Sequence, residues 1–315
     1  MHGKFHVFKL HSYFKKGAEL IFFLADGRLG NQIFQYVFLK SIQKNNEKII
    51  VSGFDDLKEV FETEYFISLP KKNKWLRIFL YRIVKPAMVF LANKKIISSI
   101  EVDHEIILEK YAREATTFKE KKGYFKFFNF VKSGFFQSEA FFNKKFTDTL
   151  KIREKYLNEA DCFLKNIPQN TYNIFVHIRR GDYKDYLVYG KSAQLPINYY
   201  ENQIMWFLKN KSNCFFIFLS DDPEFIKEKF SHLSNKIISL NNHYGTDLSI
   251  MTKCKSAILS PSSFSWWGAY LMTEKDIILS PKYWLGFNSK EEYQKGALLS
   301  FSKEINVSNY GSPKE

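Results

Sequence analysis

Short apolar runs alternate with amphipathic segments of helix length along this chain, and that alternation leaves few folds open. A buried strand that feeds a crossover helix reads this way, and repeating the unit builds a parallel sheet with helices on its faces. Leu20-Ile21-Phe22-Phe23-Leu24-Ala25 reads as such a strand and ends in Asp26-Gly27-Arg28-Leu29-Gly30. A helical pattern then runs from about Asn31 to Gln43, and Lys48-Ile49-Ile50-Val51 reads as the next strand. A second series starts after the linker-like Asn166-Ile167-Pro168-Gln169-Asn170, with strands expected at residues 174–178, 214–219, 257–259 and 277–279. After the second of these, Asp222 supplies an oxygen cap and Pro223 a first helical position. The pattern predicts an α/β protein of two doubly wound lobes, residues 1–165 and 166–315, with a cleft between them. No internal repeat or low-complexity tract interrupts it.

Composition supports a folded chain and narrows its partners. With 315 residues, 45% hydrophobic and 25% charged, it buries a sizeable core, which excludes disordered and fibrous classes. Lys and Arg outnumber Asp and Glu by 47 to 33, a net charge of +14 that suits an anionic partner: nucleic acid, a phosphorylated metabolite or an acidic membrane. No run approaches the ~20 apolar residues of a membrane span. The first twenty residues are interrupted by Lys4, Lys9, Lys15, Lys16 and Glu19, and the apolar run that follows is too short for a signal-peptide core. Three cysteines without short spacing, Cys162, Cys214 and Cys254, exclude a disulfide framework and a cysteine zinc site. A cytoplasmic protein is expected. Residues 65–100 stand apart, with no acid and eight bases: Lys71, Lys72, Lys74, Arg77, Arg82, Lys85, Lys94 and Lys95. They suit either a lobe helix with a solvated face or a basic amphipathic helix in peripheral contact with anionic membrane.

Three segments carry chemistry. His177-Ile178-Arg179-Arg180-Gly181-Asp182-Tyr183 lies where a buried strand ends, the place where open α/β sheets bind ligands. Guanidinium offers planar donors matched to phosphate oxygens, although pairing with Asp182 or Asp185 would account for both arginines equally well. Ser260-Pro261-Ser262-Ser263-Phe264-Ser265-Trp266-Trp267-Gly268 sits at a strand-to-helix junction, where hydroxyls and free N–H groups cradle anions or merely cap the helix. Asp247 opens the preceding helix, as a ligand or as its cap. In Gly27-Arg28-Leu29-Gly30-Asn31-Gln32 the glycines allow a tight turn, and Asn31 and Gln32 bring amides to a helix start. This segment is neither the dinucleotide fingerprint nor a Walker loop.

Taken together with Gly134-Phe135-Phe136-Gln137-Ser138-Glu139, these segments resemble, in order and spacing, the bacterial alpha-1,2-fucosyltransferases of glycosyltransferase family 11. The resemblance covers most of residues 20–285. It implies a GT-B-like pair of Rossmann-type lobes and transfer of L-fucose from GDP-β-L-fucose to a sugar hydroxyl, with inversion and no metal or other cofactor. The partners implied are GDP-fucose and a glycan acceptor, a β-galactoside attacked through its 2-hydroxyl. Arg179 would hold the β-phosphate, His177 would lie near the nucleotide, and Asp247 would read the guanine edge. Ser262, Ser263 and Phe264 would line the diphosphate and ribose pocket, with Arg180, Asp182, Gly30 and Gln32 also on the donor and Asn31 at the reacting centre. The chain departs from the family at Pro261, where Asn is usual, and in a basic extension before its first strand.

The chemistry agrees with that implication. Breaking a sugar–phosphate bond builds negative charge on the departing diphosphate, which a fixed guanidinium stabilises. Asp221-Asp222 reads as a cap rather than a metal pair, and the seven histidines show no ligand spacing. No general base announces itself: Asp182 is committed to an arginine, and Asp26 and Glu139 are the candidates. Other readings are transfer to a different acceptor, including a peptide hydroxyl, a sugar-binding relative without activity, and a nucleic-acid-binding protein. The last would use residues 119–132, where bases and aromatics interleave, but no known module follows.

Overall fold

In a computed structural model, which describes residues 19–307 except 64–66, 70–73, 108 and 110, the marked strands all form. In the N-terminal lobe β1 (Leu20–Leu24) runs parallel to β2 (Lys48–Ser52), and β2 to β3 (Ile67–Leu69). On its other side β1 pairs in parallel with β6 (Phe125–Val131), and β6 with β4 (Ile97–Ile107). The edge strand β5 (Tyr111–Lys121) is antiparallel to β4, giving the order β3-β2-β1-β6-β4-β5. The continuous apolar run of β1 is explained by burial on both faces. Ile21 and Phe23 join the core beneath α1 (Leu29–Ile42), while Phe22 and Leu24 join a second core on the opposite face.

The six-stranded sheet of the C-terminal lobe is all parallel. Its strands β7 (Tyr172–Ile178), β8 (Cys214–Ser220), β9 (Lys236–Ile238), β10 (Ser256–Ile258), β11 (Ile277–Pro281) and β12 (Lys303–Ile305) lie in the order β9-β8-β7-β10-β11-β12. This is the Rossmann order, in which the winding reverses between β7 and β10 and opens a crevice at their carboxyl ends. The N-terminal sheet reverses between β1 and β6. The loops that leave both reversal points line one shared cleft, the GT-B-like arrangement the resemblance implies.

The remaining helices of the C-terminal lobe are α3 (Ile197–Asn210), α4 (Pro223–Lys229), α5 (Tyr244–Thr252) and α6 (Ser263–Tyr270). The helix α2 (Glu154–Leu164) lies before the expected boundary at 165/166 yet packs on α5, with the Tyr156 ring stacked on His243 at 4.8 Å and Lys253 paired with Asp161 at 2.7 Å. The chain therefore already packs on the C-terminal lobe before residue 165. α1 and α6 join the lobes. The Phe34 ring lies 4.5 Å from Trp266 and 4.9 Å from Trp267, in a core continuous from β1 to α6.

Two segments whose character the sequence left open take definite form. Residues 119–132 are sheet: they end β5 and form β6. The acids of β4 answer the bases there, Glu101 with Lys132 at 2.5 Å and Asp103 with Lys119 at 2.6 Å. The basic segment forms helix Lys74–Phe79, a π-turn Leu80–Val84 and helix Lys85–Asn93, and it covers the second face of the N-terminal sheet. The π-turn falls just before Pro86, which lacks an N–H for a regular bond, and Lys85 N–H reaches back five residues to Leu80. The basic amino terminus, Tyr65, Lys71 and Lys72 lie outside the described residues. Among the described residues no helix is long and apolar enough to cross a membrane.

Candidate active site

The end of β7 aims its side chains into the cleft. His177 is buried, and its Nδ1 lies 2.6 Å from Ser260 Oγ at the end of β10, so one hydrogen bond spans the two strands that flank the reversal point. Burial and the neighbouring Arg179 charge push the imidazole down to about 3. It is therefore neutral at any physiological pH, a fixed neutral neighbour of whatever occupies the cleft.

Arg179 is clamped. Its Nε donates to Asp182 Oδ1 at 2.8 Å, and its two terminal nitrogens meet Asp182 Oδ1 at 2.8 Å and Asp221 Oδ2 at 3.2 Å. Guanidinium carries five N–H donors, so two remain for an anion in the cleft. The fork is thus oriented before any ligand arrives, and a preoriented charge costs no reorganisation when it is used. Against the opposing effect of burial, the Arg179 hydrogen bond and charge hold the Asp182 carboxyl below its usual range, with a smaller contribution from Arg28 of the opposite lobe.

Two helix amino termini converge on the same space. At α6, Ser262 caps by accepting from Phe264 N–H at 3.3 Å, while Ser263 and Phe264 line the cleft. At α1, Gly27 has φ +81°, a left-handed turn that suits glycine, and Gly30 packs against the Ser263 backbone so closely that a Cβ would lie 2.6 Å from its carbonyl carbon. Free N–H groups and helix dipoles there favour negative charge. Asn31 lines the cleft and accepts from Gln137 Nε2 at 2.6 Å.

Asp247 lines the cleft from α5. His243, not Asp247, caps α5: its Nδ1 accepts from Gly245 N–H at 3.1 Å. Asp247 sits in the first turn, where it accepts from the Ser239 hydroxyl, and Asn242 donates to that hydroxyl in turn at 2.9 Å. Burial pushes its carboxyl up to about 6 despite those bonds. Such a carboxylate gains from two further N–H donors, which would hold it ionised. The whole cleft measures about 970 Å³, room for a nucleotide sugar.

Residues 20–298 match glycosyl transferase family 11. The chain belongs to that family. It is 28% identical over 295 residues to the O-antigen biosynthesis glycosyltransferase WbnK of Escherichia coli, covering 84% of this chain and 95% of that protein. It is 27% identical over 283 residues to the alpha-1,2-colitosyltransferase of Escherichia coli, covering 82% of this chain and 90% of that one. A solved glycosyl transferase of family 9 from Veillonella parvula overlays with a TM-score of 0.53 at 13% identity, over 91% of this chain and 86% of that one. That last likeness concerns the fold alone.

In this family 11 glycosyltransferase, His177, Arg179, Asp182, Asp247, Ser262, Ser263, Phe264, Gly30 and Asn31 all line the cleft. Arg180 and Gln32 do not. Arg180 lies 3.4 Å over the Phe225 ring and pairs with Asp222 at 3.1 Å, because its backbone turns outward where Asp221 accepts from its N–H. Gln32 is buried as a brace, donating to Gly27 O at 3.0 Å and accepting from Leu57 N–H at 3.0 Å. Of the candidate bases, Glu139 is held by Ser300 N–H at 2.8 Å and Asp26 by Gly27 N–H at 2.8 Å, and neither lines the cleft.

Pro261, in place of the usual Asn, contributes its backbone carbonyl, which accepts from the Tyr183 hydroxyl at 2.7 Å. Lining residues that sequence reasoning passed over are Arg28, Gln137, Tyr186, Asn242, Tyr244 and Tyr293. Arg28 lies inside the Gly27–Gln32 segment and is legible there as a base at a helix start. Tyr244 opens α5 three residues before Asp247, Tyr186 follows Tyr183 by three, and Tyr293 comes from a loop remote in sequence, so their shared place in the cleft carries no local signal. Among the described residues no cluster of three or more His, Cys, Asp or Glu side chains could hold a metal ion.

Proposed function

We propose that this glycosyltransferase moves L-fucose from GDP-β-L-fucose, with inversion, to the 2-hydroxyl of a β-galactoside acceptor in surface-glycan or oligosaccharide synthesis. The observation that carries the reading is the pairing of two unlike sites in one cleft. Arg179, flanked by the amino termini of α1 and α6, answers a diphosphate, and Asp247 answers a base edge with adjacent N–H donors. Guanine presents such donors at N1 and N2, whereas adenine presents an acceptor at N1.

As the sugar–phosphate bond breaks, its electron pair goes to the β-phosphate oxygen. Arg179 and the helix termini stabilise that charge, so the leaving group departs without a metal. The acidic neighbours Asp221 and Asp222 are already engaged: Asp221 accepts from Arg180 N–H at 2.9 Å and Gly181 N–H at 3.1 Å, and Asp222 caps α4 through Phe225 N–H at 3.4 Å. Asn31, tied to Gln137, lines the cleft from the amino-terminal lobe and in this reading serves the reacting centre.

The test is turnover of GDP-fucose against lactose and a panel of other β-galactosides, in excess EDTA, with linkage read by NMR. Formation of the 1,2-linked product in EDTA is the expected result. Turnover only with added Mg²⁺ or Mn²⁺, or no fucosyl product with any galactoside, would reject it. A second donor is favoured by the relative named for colitosyl transfer, so the same panel is run with the colitosyl donor; preference for it by kcat/KM would replace fucose in the proposal while keeping the site.

A further inference from the structure

The helical segment 74–93 has two dissimilar faces. Leu76, Leu80, Val84, Met88, Val89 and Leu91 pack inward with Phe22, Leu24 and Phe130 of the sheet. This is the face of the sheet opposite α1, so the segment lies on the side of the N-terminal lobe turned away from the other lobe. Its outward face would ordinarily be polar. Instead Trp75, Phe79, Ile83 and Phe90, spaced at about helical intervals, stand between 49% and 78% exposed.

Bases surround that apolar row. Arg77, Arg82, Lys94 and Lys95 are exposed and Lys85 is half-buried, and among the described residues none of the five pairs with a carboxylate. From residue 65 to residue 100 the sequence holds no acid at all. The patch continues beyond the helix. Tyr124 N–H donates to Lys95 O and Phe125 N–H to Ile96 O, both at 2.9 Å, which sets the exposed Tyr124 and Phe125 beside the helix end. Their rings lie 5.1 Å apart, and Phe127 follows at 5.9 Å from Phe125.

We propose that this face is a docking surface for an anionic lipid bilayer, on which the enzyme lies with its amino-terminal lobe down. Exposed Trp and Phe between Lys and Arg, on a helix that is apolar underneath as well, match the requirements of the headgroup boundary: rings enter the interface while bases meet lipid phosphate. An acidic protein would satisfy the charges but has no need of so extended an aromatic row. A second copy of this chain would set like charges against each other. Charge complementarity therefore selects the bilayer. Each base near an anionic surface contributes enough for several together to give reversible binding that weakens as salt rises.

The experiment is co-sedimentation of the full chain with vesicles of phosphatidylcholine alone and of phosphatidylcholine mixed with phosphatidylglycerol, at low and physiological salt. The expected result is binding to the mixed vesicles alone, weakened by salt. Arg77→Glu with Arg82→Glu should lower the partition coefficient by about tenfold or more, and Ile83→Ser with Phe90→Ser should lower it at physiological salt. The control Lys209→Glu with Lys229→Glu makes the same change of net charge on exposed residues of the C-terminal lobe, and it should leave most of the binding in place. Equal turnover of a soluble acceptor by all variants reports that they are folded. The proposal is overturned if the protein stays in the supernatant with mixed vesicles at low salt or if the control loses as much binding as the patch variant. A dimer in sedimentation velocity that Ile83→Ser with Phe90→Ser dissolves would overturn it as well. Because binding is read without donor or acceptor, it stands or falls separately from the fucosyl assignment.

Discussion

Arg179 and Arg180 are adjacent in sequence, yet one lines the cleft between Asp182 and Asp221 and the other lies flat on Phe225. Arg179→Ala should lower kcat by about a hundredfold, the usual loss when a preoriented charge is removed from a developing anion. Arg180→Ala should lower the melting temperature and leave kcat within a few-fold. Steady-state kinetics beside thermal melts of both variants check this, and comparable kcat losses would place both arginines on the donor.

Asp247 supplies a pH test. Its pKa is raised by burial to about 6, so the folded protein holds that proton more tightly than the unfolded chain does. The sign follows: its ionisation costs stability, and the cost appears as pH rises from the ordinary carboxylate range to about 6. GDP binding runs the other way, because guanine donors need the ionised form. Affinity for GDP should rise about tenfold between pH 5 and pH 7, the change in ionised fraction across such a pKa. Asp247→Asn should bind weakly and show no such slope. Calorimetry at both pH values decides, and parallel slopes in the two proteins would remove Asp247 from the guanine site.

At the scale of elements, the cleft depends on how closely the amino termini of α1 and α6 approach. Gly30 permits it, since a Cβ would stand 2.6 Å from the Ser263 carbonyl carbon and 2.7 Å from Phe264 N. Those atoms are backbone at a helix start and give way only by moving the helix. Gly30→Ala should therefore cost about 1–3 kcal/mol, the range for overpacking a filled site, and raise the KM for the donor more than it lowers kcat. Unchanged stability and KM would mean the lobes yield easily at this contact. The strands beside these helices were legible because burial on both faces leaves unbroken apolar runs, as in β1 and β8. The β4–β5 hairpin was not. Its charges alternate along half-exposed strands, and the partners that neutralise them, Glu101 with Lys132 or Glu105 with Lys295, stand 31 and 190 residues apart.

For the whole molecule, the core that runs from β1 through Phe34 to Trp266 and Trp267 makes the lobes one folding unit, unlike domains joined by a polar interface. Thermal unfolding should show a single transition. Phe34→Ala should lower the unfolding free energy by about 3–5 kcal/mol, the cost of emptying a buried aromatic site, without splitting the transition. Two separated transitions in the parent protein would contradict a shared core.

Local chemistry alone carried the strands, the βα turns, the cap at Asp222 and the family motifs, because each depends on neighbours within a few residues. Which arginine faces the donor, whether Gln32 binds or braces, and which tyrosines wall the cleft depended on side chains from remote loops. Arg179 acquires its orientation from Asp221, at the end of a different strand. Gln32 is consumed by Gly27 and Leu57. Tyr293 reaches the cleft only because the C-terminal segment folds back across both lobes, with Lys295 on Glu105 and the Glu292 carbonyl accepting from Arg113 and Tyr189. Those choices are settled by competition for partners in space, and residue order along the chain does not encode the outcome.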